Sequence, residues 1–269
     1  MRFNILLPAA IALLTLGACA SDEADKKPVE AEADVLYNRA AAAMDAGEYQ
    51  QATKDFEEVE RQHPYSQWAT HAQLMAAYAS YQGQDYEEAV LALDRFIELH
   101  PGHKDIDYAY YLKALCYYEQ ISDVRRDQEM TQQALGALES LISRYPESRY
   151  TRDAKLKRDL TLDHLAGKEM EIGRYYLNQG QVNAAINRFR TVIKDYQTTT
   201  HVPEALHRLV ESYVTLGLGQ EATQVAAVLG YNYPGSKWYE RSYALLDPAQ
   251  RSKLESDKGV VGRTLDSIL

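Results

Sequence analysis

Histidine and cysteine are the side chains of this sequence that could bind a metal or attack a substrate. The seven histidines are dispersed, and the one close pair, His100 and His103, flanks a Pro-Gly turn without helical metal spacing or a third ligand. No serine lies in a nucleophile elbow, and no glycine-rich loop follows a strand. The sequence therefore predicts that the chain is not an enzyme and that it binds no metal.

Cys19 is the residue with the clearest chemistry. It follows a basic start at Arg2, an apolar run from Ile5 to Leu16, and the small residues Gly17 and Ala18. This pattern is typical of a lipobox, in which the sulfur is diacylated, the chain is cut before the cysteine, and the new amino terminus is acylated. We predict that residues 1–18 are a signal peptide and that Cys19 carries S-diacylglycerol and N-palmitoyl groups, with no other cofactor. The alternative is a buried thiol at Cys19.

The acyl chains predict a stable membrane anchor, since two lipid signals already suffice for one. Lipoproteins kept at the inner membrane typically carry aspartate after the cysteine, whereas this chain has Ala20 and Ser21. We therefore predict the periplasmic face of the outer membrane. Residues 19–34 are polar, charged and without apolar periodicity, so we interpret them as the acylated cysteine and a flexible tether. Cys116, in an apolar stretch, is predicted to be a core residue.

A repeated pattern organises the rest of the chain. Ala52 is followed four residues later by Phe56 and then by Pro64, with Gly47 before it. Residues four apart share one face of a helix, so the small side chain lets a neighbouring helix approach while the large one fills the gap. The spacing recurs from Ala89, Ala134, Ala185 and Ala222. The pattern matches the tetratricopeptide (TPR) helix-turn-helix unit.

The predicted fold is therefore all-α, an α-solenoid of five TPR-like helix-turn-helix repeats in two sub-arrays. Residues 35–146 hold repeats one to three, and residues 147–247 hold a long helix, repeats four and five, and a capping helix that includes Trp238. Residues 248–269 are interpreted as a tail, disordered or weakly helical.

Two interruptions of the period matter for function. Repeat three is widened by the segment SDVRRDQEM, which predicts an exposed loop that either binds a partner or is only tolerated at the surface. A further segment lengthens the interval between Ala134 and Ala185. It predicts either one long helix over residues 148–177 or two helices broken near Gly167. Its apolar residues are predicted to lie largely on one side: Ala154, Leu156, Leu160, Leu162 and Leu165.

These features together resemble the BamD family, the lipoproteins of the β-barrel assembly machine. The strings that carry the resemblance are LDRFIELHP, IDYAYYLKAL, SRYPESRYTRDA and GRYYLNQGQVNAAINRF, and it covers the chain from Cys19 to about Asp247. The resemblance implies a groove in the amino-terminal repeats for unfolded outer-membrane protein clients. It also implies docking of the carboxy-terminal repeats on a barrel subunit similar to BamA, with other assembly lipoproteins as further partners.

Residues were assigned to these two surfaces. Tyrosine offers a large apolar area with a polar tip, and the chain has 21 tyrosines against 4 phenylalanines. Tyr78, Tyr81 and Tyr111 are the candidates for the client groove, although such rings could simply fill the space between helices. Arg188, which the resemblance places near the barrel subunit, is predicted to point outward. Arg152 and Lys155 form a second candidate docking face, or only a solvated one.

Composition limits the alternatives. A net charge of −10 argues against a nucleic-acid partner, because no basic groove is present to contact phosphates. One alternative is a TPR lipoprotein that scaffolds cell-wall or division proteins, with the same anchor and repeats. Another is an envelope hydrolase with a helical accessory domain, which would need a catalytic cluster that the sequence does not show.

Overall fold

The computed structural model describes residues 32–256, and this part of the chain is built from helices without β-strands. The predicted signal peptide, Cys19 and most of the tether lie outside the described residues, as do residues 257–269. In chain order the helices are α1 (Ala33–Asp45), α2 (Tyr49–Gln62), α3 (Gln67–Gln82), α4 (Tyr86–Leu99), α5 (Ile106–Tyr118), α6 (Glu129–Arg144), α7 (Thr151–Asn178), α8 (Val182–Asp195), α9 (Val202–Thr215), α10 (Gly219–Asn232), α11 (Lys237–Leu245) and α12 (Pro248–Ser256). The predicted all-α class is confirmed.

The helices stack in chain order, as expected of an α-solenoid. From α1 to α10, each helix packs against the next one, and the first helices α1, α3, α5 and α7 also contact one another in series. The small and large residues of the repeat pattern lie in these contacts and are fully buried: Ala52, Phe56, Ala89, Leu93, Ala134, Leu138, Ala185, Phe189, Ala222 and Ala226. The five helix pairs α1/α2 to α9/α10 are the predicted repeats, because each repeat buries its apolar face on its neighbours.

The turns inside the repeats share one geometry. Gly47, Gly180 and Gly217 have φ between 72° and 76°, the left-handed conformation that glycine adopts without a steric penalty. In repeat two the left-handed residue is Gln84, with φ 63°, although Gly83 precedes it. The glycine there is one residue too early to take the left-handed position, so Gln84 adopts it at a steric cost.

α7 is one continuous helix of 28 residues, which settles the choice left open by the sequence. The prediction that its apolar residues lie largely on one side was wrong. Ala154 and Leu165 are buried, but Leu156 and Leu160 are 59% and 60% exposed. At 3.6 residues per turn, Leu165 returns to within about 20° of Ala154, whereas Leu156 and Leu160 lie about 200° and 240° away.

The carboxy-terminal end is more ordered than the sequence predicted. α11 packs on α9 as the expected capping helix, and Leu246 after it is buried. The region from Pro248 was interpreted as a tail, yet its described part forms α12, which packs on α10 and buries Leu254. Arg251 also donates hydrogen bonds to the carbonyl oxygens of Leu246 at 2.8 Å and Ala244 at 3.0 Å, which tie this short helix to the end of α11. None of the helices within residues 32–256 is long and apolar enough to cross a membrane.

Candidate functional site

The first helices of the amino-terminal sub-array carry a wall of tyrosines. Tyr78 and Tyr81 lie on α3, Tyr108 and Tyr111 lie on α5, and Tyr150 precedes α7. The ring centroids of Tyr78 and Tyr108 are 6.4 Å apart, and Tyr108 lies 5.3 Å from Tyr150. Tyr111 stacks on Tyr150 at 4.8 Å with an interplanar angle of 16°. All five side chains are half-buried, so each ring both fills inter-helix space and presents part of its surface to solvent.

Hydrogen bonds hold this tyrosine wall in place. The Tyr111 hydroxyl donates to Asp153 Oδ2 at 2.6 Å, and the Ser148 hydroxyl donates to Asp107 Oδ2 at 2.6 Å. The bond from Tyr111 lowers the pKa of Asp153, while burial and that carboxylate raise the pKa of Tyr111. Burial also raises the pKa of Tyr81 to about 12. The wall therefore offers neutral hydroxyls, apolar ring faces and two carboxylates.

Arg188 does not project freely from α8 as the sequence predicted. Its Nη1 atom donates to Glu169 Oε2 of α7 at 3.1 Å, and its side chain is 42% exposed. Glu169 is nineteen positions earlier in the chain, so no local pattern indicates this pair. A partner carboxylate must either share the guanidinium with Glu169 or displace it. Whether Arg188 contacts a barrel subunit stays a prediction.

The first turns of α7 form a different surface. Arg152 and Lys155 are exposed, and neither pairs with a carboxylate in the described part of the chain. The exposed Leu156 and Leu160 follow them on the helix, four residues apart. Cationic and apolar side chains therefore lie together on this exposed part of α7.

The inserted loop of repeat three packs on α7 with one side, while most of its side chains are exposed, as predicted. Lys168 Nζ donates to the carbonyl oxygens of Arg125 at 3.1 Å and Arg126 at 3.0 Å. The Arg125 guanidinium is 3.5 Å from Glu171. A Cβ atom added at Gly167 would lie in ordinary contact with Val124 of the loop, at 3.6 Å, and in tighter contact with His201 Nε2, at 3.2 Å. A cleft of about 540 Å³ remains between the loop, α6 and α7.

A cluster at the carboxy-terminal end was missed by the sequence analysis. The ring of Trp238 on α11 lies near Lys237, Arg241 and Arg208, and it packs 5.2 Å from the ring of His207. Lys237 and Arg241 are four residues apart on one helix, which places both cations on one face. That spacing was the signal that could have identified the cluster.

The residues considered for catalysis are structural. His100 Nε2 is hydrogen-bonded to Gln73 at 2.7 Å, and His103 lies against Asp105. Among residues 32–256, no group of three or more His, Cys, Asp or Glu side chains is arranged to hold a metal ion. Cys116 lies in the core as predicted, and burial raises the pKa of its thiol to about 12.

Comparison with known proteins assigns the chain to a family. Residues 29–229 match the YfiO family, described as an outer membrane lipoprotein. Two relatives, both named outer membrane protein assembly factor BamD, are each 48% identical. The one from Caulobacter vibrioides aligns with 100% of this chain and 89% of its own length, and the one from Rickettsia prowazekii with 91% and 98%. A third relative of that name, from Neisseria meningitidis, is 33% identical over 89% of this chain and 95% of its own.

Among solved structures, that of PilW, a widely conserved type IV pilus biogenesis factor, aligns with 77% of this chain and 96% of its own. Its TM-score of 0.26 and 15% identity are too low to support an inference. The family match over residues 29–229 and the 48% identity over the whole chain are strong enough to assign the family. The BamD relatives are similar to this chain along nearly their whole length. The chain therefore belongs to the YfiO family of outer membrane lipoproteins.

Proposed function

We propose that this chain is a non-enzymatic scaffold of the complex that assembles β-barrel proteins into the outer membrane. The observation that carries the proposal is its 48% identity, over the whole chain, to a protein named outer membrane protein assembly factor. Family membership makes the chain an outer membrane assembly factor. The finer roles below are proposed for its individual surfaces.

The anchor is the first of these roles. Cys19, after removal of residues 1–18, carries the diacylglycerol and palmitoyl groups that hold the chain at the periplasmic face of the outer membrane. Three acyl chains exceed the two-signal requirement for stable anchoring. A Cys19→Ala variant should appear in the soluble or precursor fraction after cell fractionation, and its sedimentation with outer membranes at the wild-type level would contradict the anchor.

The tyrosine wall of α3 and α5 is the proposed client surface. Unfolded barrel strands alternate apolar and polar side chains, which suits half-buried rings with hydroxyl groups at their edges. Tyr78, Tyr81 and Tyr111 should each crosslink to a denatured barrel client when replaced by a photoreactive phenylalanine. Leu91, which is 72% exposed on the second helix α4, is the matched control position. Equal crosslinking at Leu91 would contradict a specific groove.

The proposed contact with the barrel subunit involves Arg188 on α8 and the α7 face of Arg152 and Lys155. The test is co-purification through a carboxy-terminal tag from gently solubilised envelopes. A large outer-membrane barrel protein with periplasmic repeats should appear in near-equal amount. Cell-wall or division proteins in its place would leave the fold standing and favour the scaffold alternative.

Arg188→Glu should lower the yield of the barrel subunit severalfold, because the reversed charge repels a partner carboxylate. The same change also sets a carboxylate against Glu169, so the double variant Arg188→Glu/Glu169→Lys restores an ion pair within the chain. A yield that stays low in the double variant supports a direct contact. A yield that recovers shows that Arg188 only positions α7 and α8. Lys194→Glu, an exposed charge reversal on the same helix, is the control.

A further inference from the structure

The indole of Trp238 is surrounded by positive charge. Lys237 Nζ and the guanidinium carbon of Arg241 each lie 5.0 Å from the ring centroid, and the guanidinium carbon of Arg208 lies 5.9 Å from it. Each cation is attracted to the ring face. The three cations also repel one another, because like charges this close interact unfavourably unless a counter-charge is present.

Among residues 32–256, carboxylates pair with only one of the three cations. Arg208 Nη1 lies 2.8 Å from Glu211, and its Nε lies 3.5 Å from Glu204. Lys237 and Arg241 are exposed, and within residues 32–256 neither has a carboxylate within ion-pair distance. Two uncompensated cations at i and i+4 on one short helix form a local electropositive site in a chain whose net charge is −10.

The neighbouring helices α7 and α9 show which side chains pair with the cations of this region. Arg174 on α7 pairs with Glu171 at 2.8 Å and with Glu204 of α9 at 3.2 Å, and Glu204 is in turn the neighbour of Arg208. Arginine and glutamate therefore alternate from α7 across α9. At α11 the series continues with Lys237 and Arg241, and the one carboxylate of this helix, Glu240, is within ion-pair distance of neither.

We propose that Lys237, Arg241 and Trp238 bind an acidic segment of a partner protein, whose carboxylates continue this alternating series. Two carboxylates of the segment accept hydrogen bonds from Lys237 and Arg241, and apolar atoms beside them lie over the half-buried indole. A protein segment fits better than a phosphate group because the neighbouring arginines, Arg174 and Arg208, already pair with glutamate side chains. The stacked first helices of a solenoid also form an extended surface, which suits the binding of a chain segment.

The inference rests on the proposed function in one respect, namely that the carboxy-terminal repeats meet other proteins of the complex. The proposed function and the inferred site can be refuted by different experiments. Absence of the barrel subunit from the co-purified complex bears on the proposed function, whereas the site itself is tested on the purified chain.

The test uses the full acylated chain, labelled with ¹⁵N-tryptophan, in a neutral detergent. The chain has two tryptophans, so the indole N–H signals of Trp68 and Trp238 report separately, and Trp68 in repeat one serves as an internal control. Titration with hexaglutamate should shift the Trp238 signal saturably and leave the Trp68 signal in place. Hexaglutamine should shift neither signal.

The variant pair Lys237→Gln/Arg241→Gln should weaken hexaglutamate binding by about tenfold or more, since two charge-assisted hydrogen bonds are lost. Arg152→Gln/Lys155→Gln on α7 removes the same charge from two other uncompensated cations and should change the affinity less than about twofold. An equal loss in both variants would show only an effect of net charge and would overturn the site. A Trp238 shift that is absent with hexaglutamate, or that appears only with inorganic phosphate or anionic phospholipid vesicles, would overturn the choice of an acidic protein segment.

Discussion

Gly173 shows how a single residue can control the contact between two helices. It lies on α7 beneath the fully buried ring of Phe189 on α8, and a Cβ atom at this position would be 2.4 Å from Phe189 Cε1. No side chain fits there unless the ring moves, and a buried ring has no free space to move into. Glycine is kept at a helix-interior position where it is otherwise unfavourable.

We predict that Gly173→Ala destabilises the chain. Overpacking in a core typically costs about 1–3 kcal/mol, which exceeds the gain of about 1 kcal/mol in helix propensity. Gly136 is the matched control, because it also lies inside a helix but a Cβ atom there meets nothing within 4 Å. Gly136→Ala should raise the free energy of unfolding by about 0.5–1 kcal/mol. Denaturant melts of both variants check the prediction, and shifts of the same sign would contradict it.

His207 makes the stability of the carboxy-terminal sub-array depend on pH. Burial, followed by the nearby Arg208, lowers its pKa below the usual value, and its Nδ1 is hydrogen-bonded to Ser242 at 2.9 Å. As the pH falls, the unfolded state takes up the proton first, at a pKa of about 6.5. The stabilisation is therefore fully present above that pH and is lost as the pH falls through the lower pKa of the folded state.

The expected result is a free energy of unfolding that falls between pH 7.5 and pH 5 in the wild type and falls less steeply in His207→Gln. Glutamine can keep a hydrogen bond to Ser242 but does not titrate. Part of the slope should remain, because burial also lowers the pKa of His71 in repeat one. Chemical denaturation across this pH range provides the measurement, and identical slopes would exclude His207 as a contributor.

At the scale of elements, the inserted loop of repeat three is a brace between the sub-arrays. It bonds to Lys168 in the second half of α7, and Val124 approaches Gly167 there. One turn earlier on the same helix, Asp163 Oδ1 accepts hydrogen bonds from the backbone nitrogen of Thr200 at 2.8 Å and from its hydroxyl at 2.7 Å. α7 is thus held from repeat three and from the start of repeat five.

Lys168→Met keeps the aliphatic stem and removes both hydrogen bonds to the loop carbonyls. We expect amide exchange of residues 123–128 to become several-fold faster, with a small change of about 1 kcal/mol or less in global stability, because these bonds are exposed to solvent. Lys155→Met on the same helix is the control and should leave the loop unchanged. Hydrogen exchange measured by mass spectrometry tests this prediction. An unchanged exchange rate in the loop would show that other contacts hold it.

The elements also show what could be predicted from the sequence. The small residue followed by a large one four positions later, as in Ala52 and Phe56, is a local pattern. Its copies identified the helix pairs and their buried faces correctly. The Arg188–Glu169 pair depends on which helices lie side by side, and no local period encodes that. The Trp238 cluster is local in part, because Lys237 and Arg241 are four residues apart on α11, but its contacts with α9 are not encoded by that spacing. Leu156 and Leu160 lie on the exposed side because each residue advances by about 100° around α7, which separates them from Ala154 and Leu165.

At the scale of the whole molecule, the core is divided rather than continuous. Phe56 belongs to a cluster formed by α1 to α3, and Phe189 belongs to one that extends from α7 to α12. Two further clusters lie between them in the described part of the chain. In a solenoid each repeat contacts only its neighbours, so stability is a sum of local and nearest-neighbour contributions.

This division predicts that damage in one sub-array stays local. Phe56→Ala should remove about 3–5 kcal/mol from the first repeats and accelerate amide exchange in α1 to α3, with α8 to α10 close to wild type. Phe189→Ala should show the reverse distribution, because both rings are fully buried in otherwise similar contacts. Hydrogen exchange resolved by helix distinguishes this behaviour from a single cooperative unit, in which either variant would accelerate exchange throughout. If the division holds, clients bound at the tyrosine wall and partners bound near Arg188 are coupled mainly through α7 and the loop packed on it.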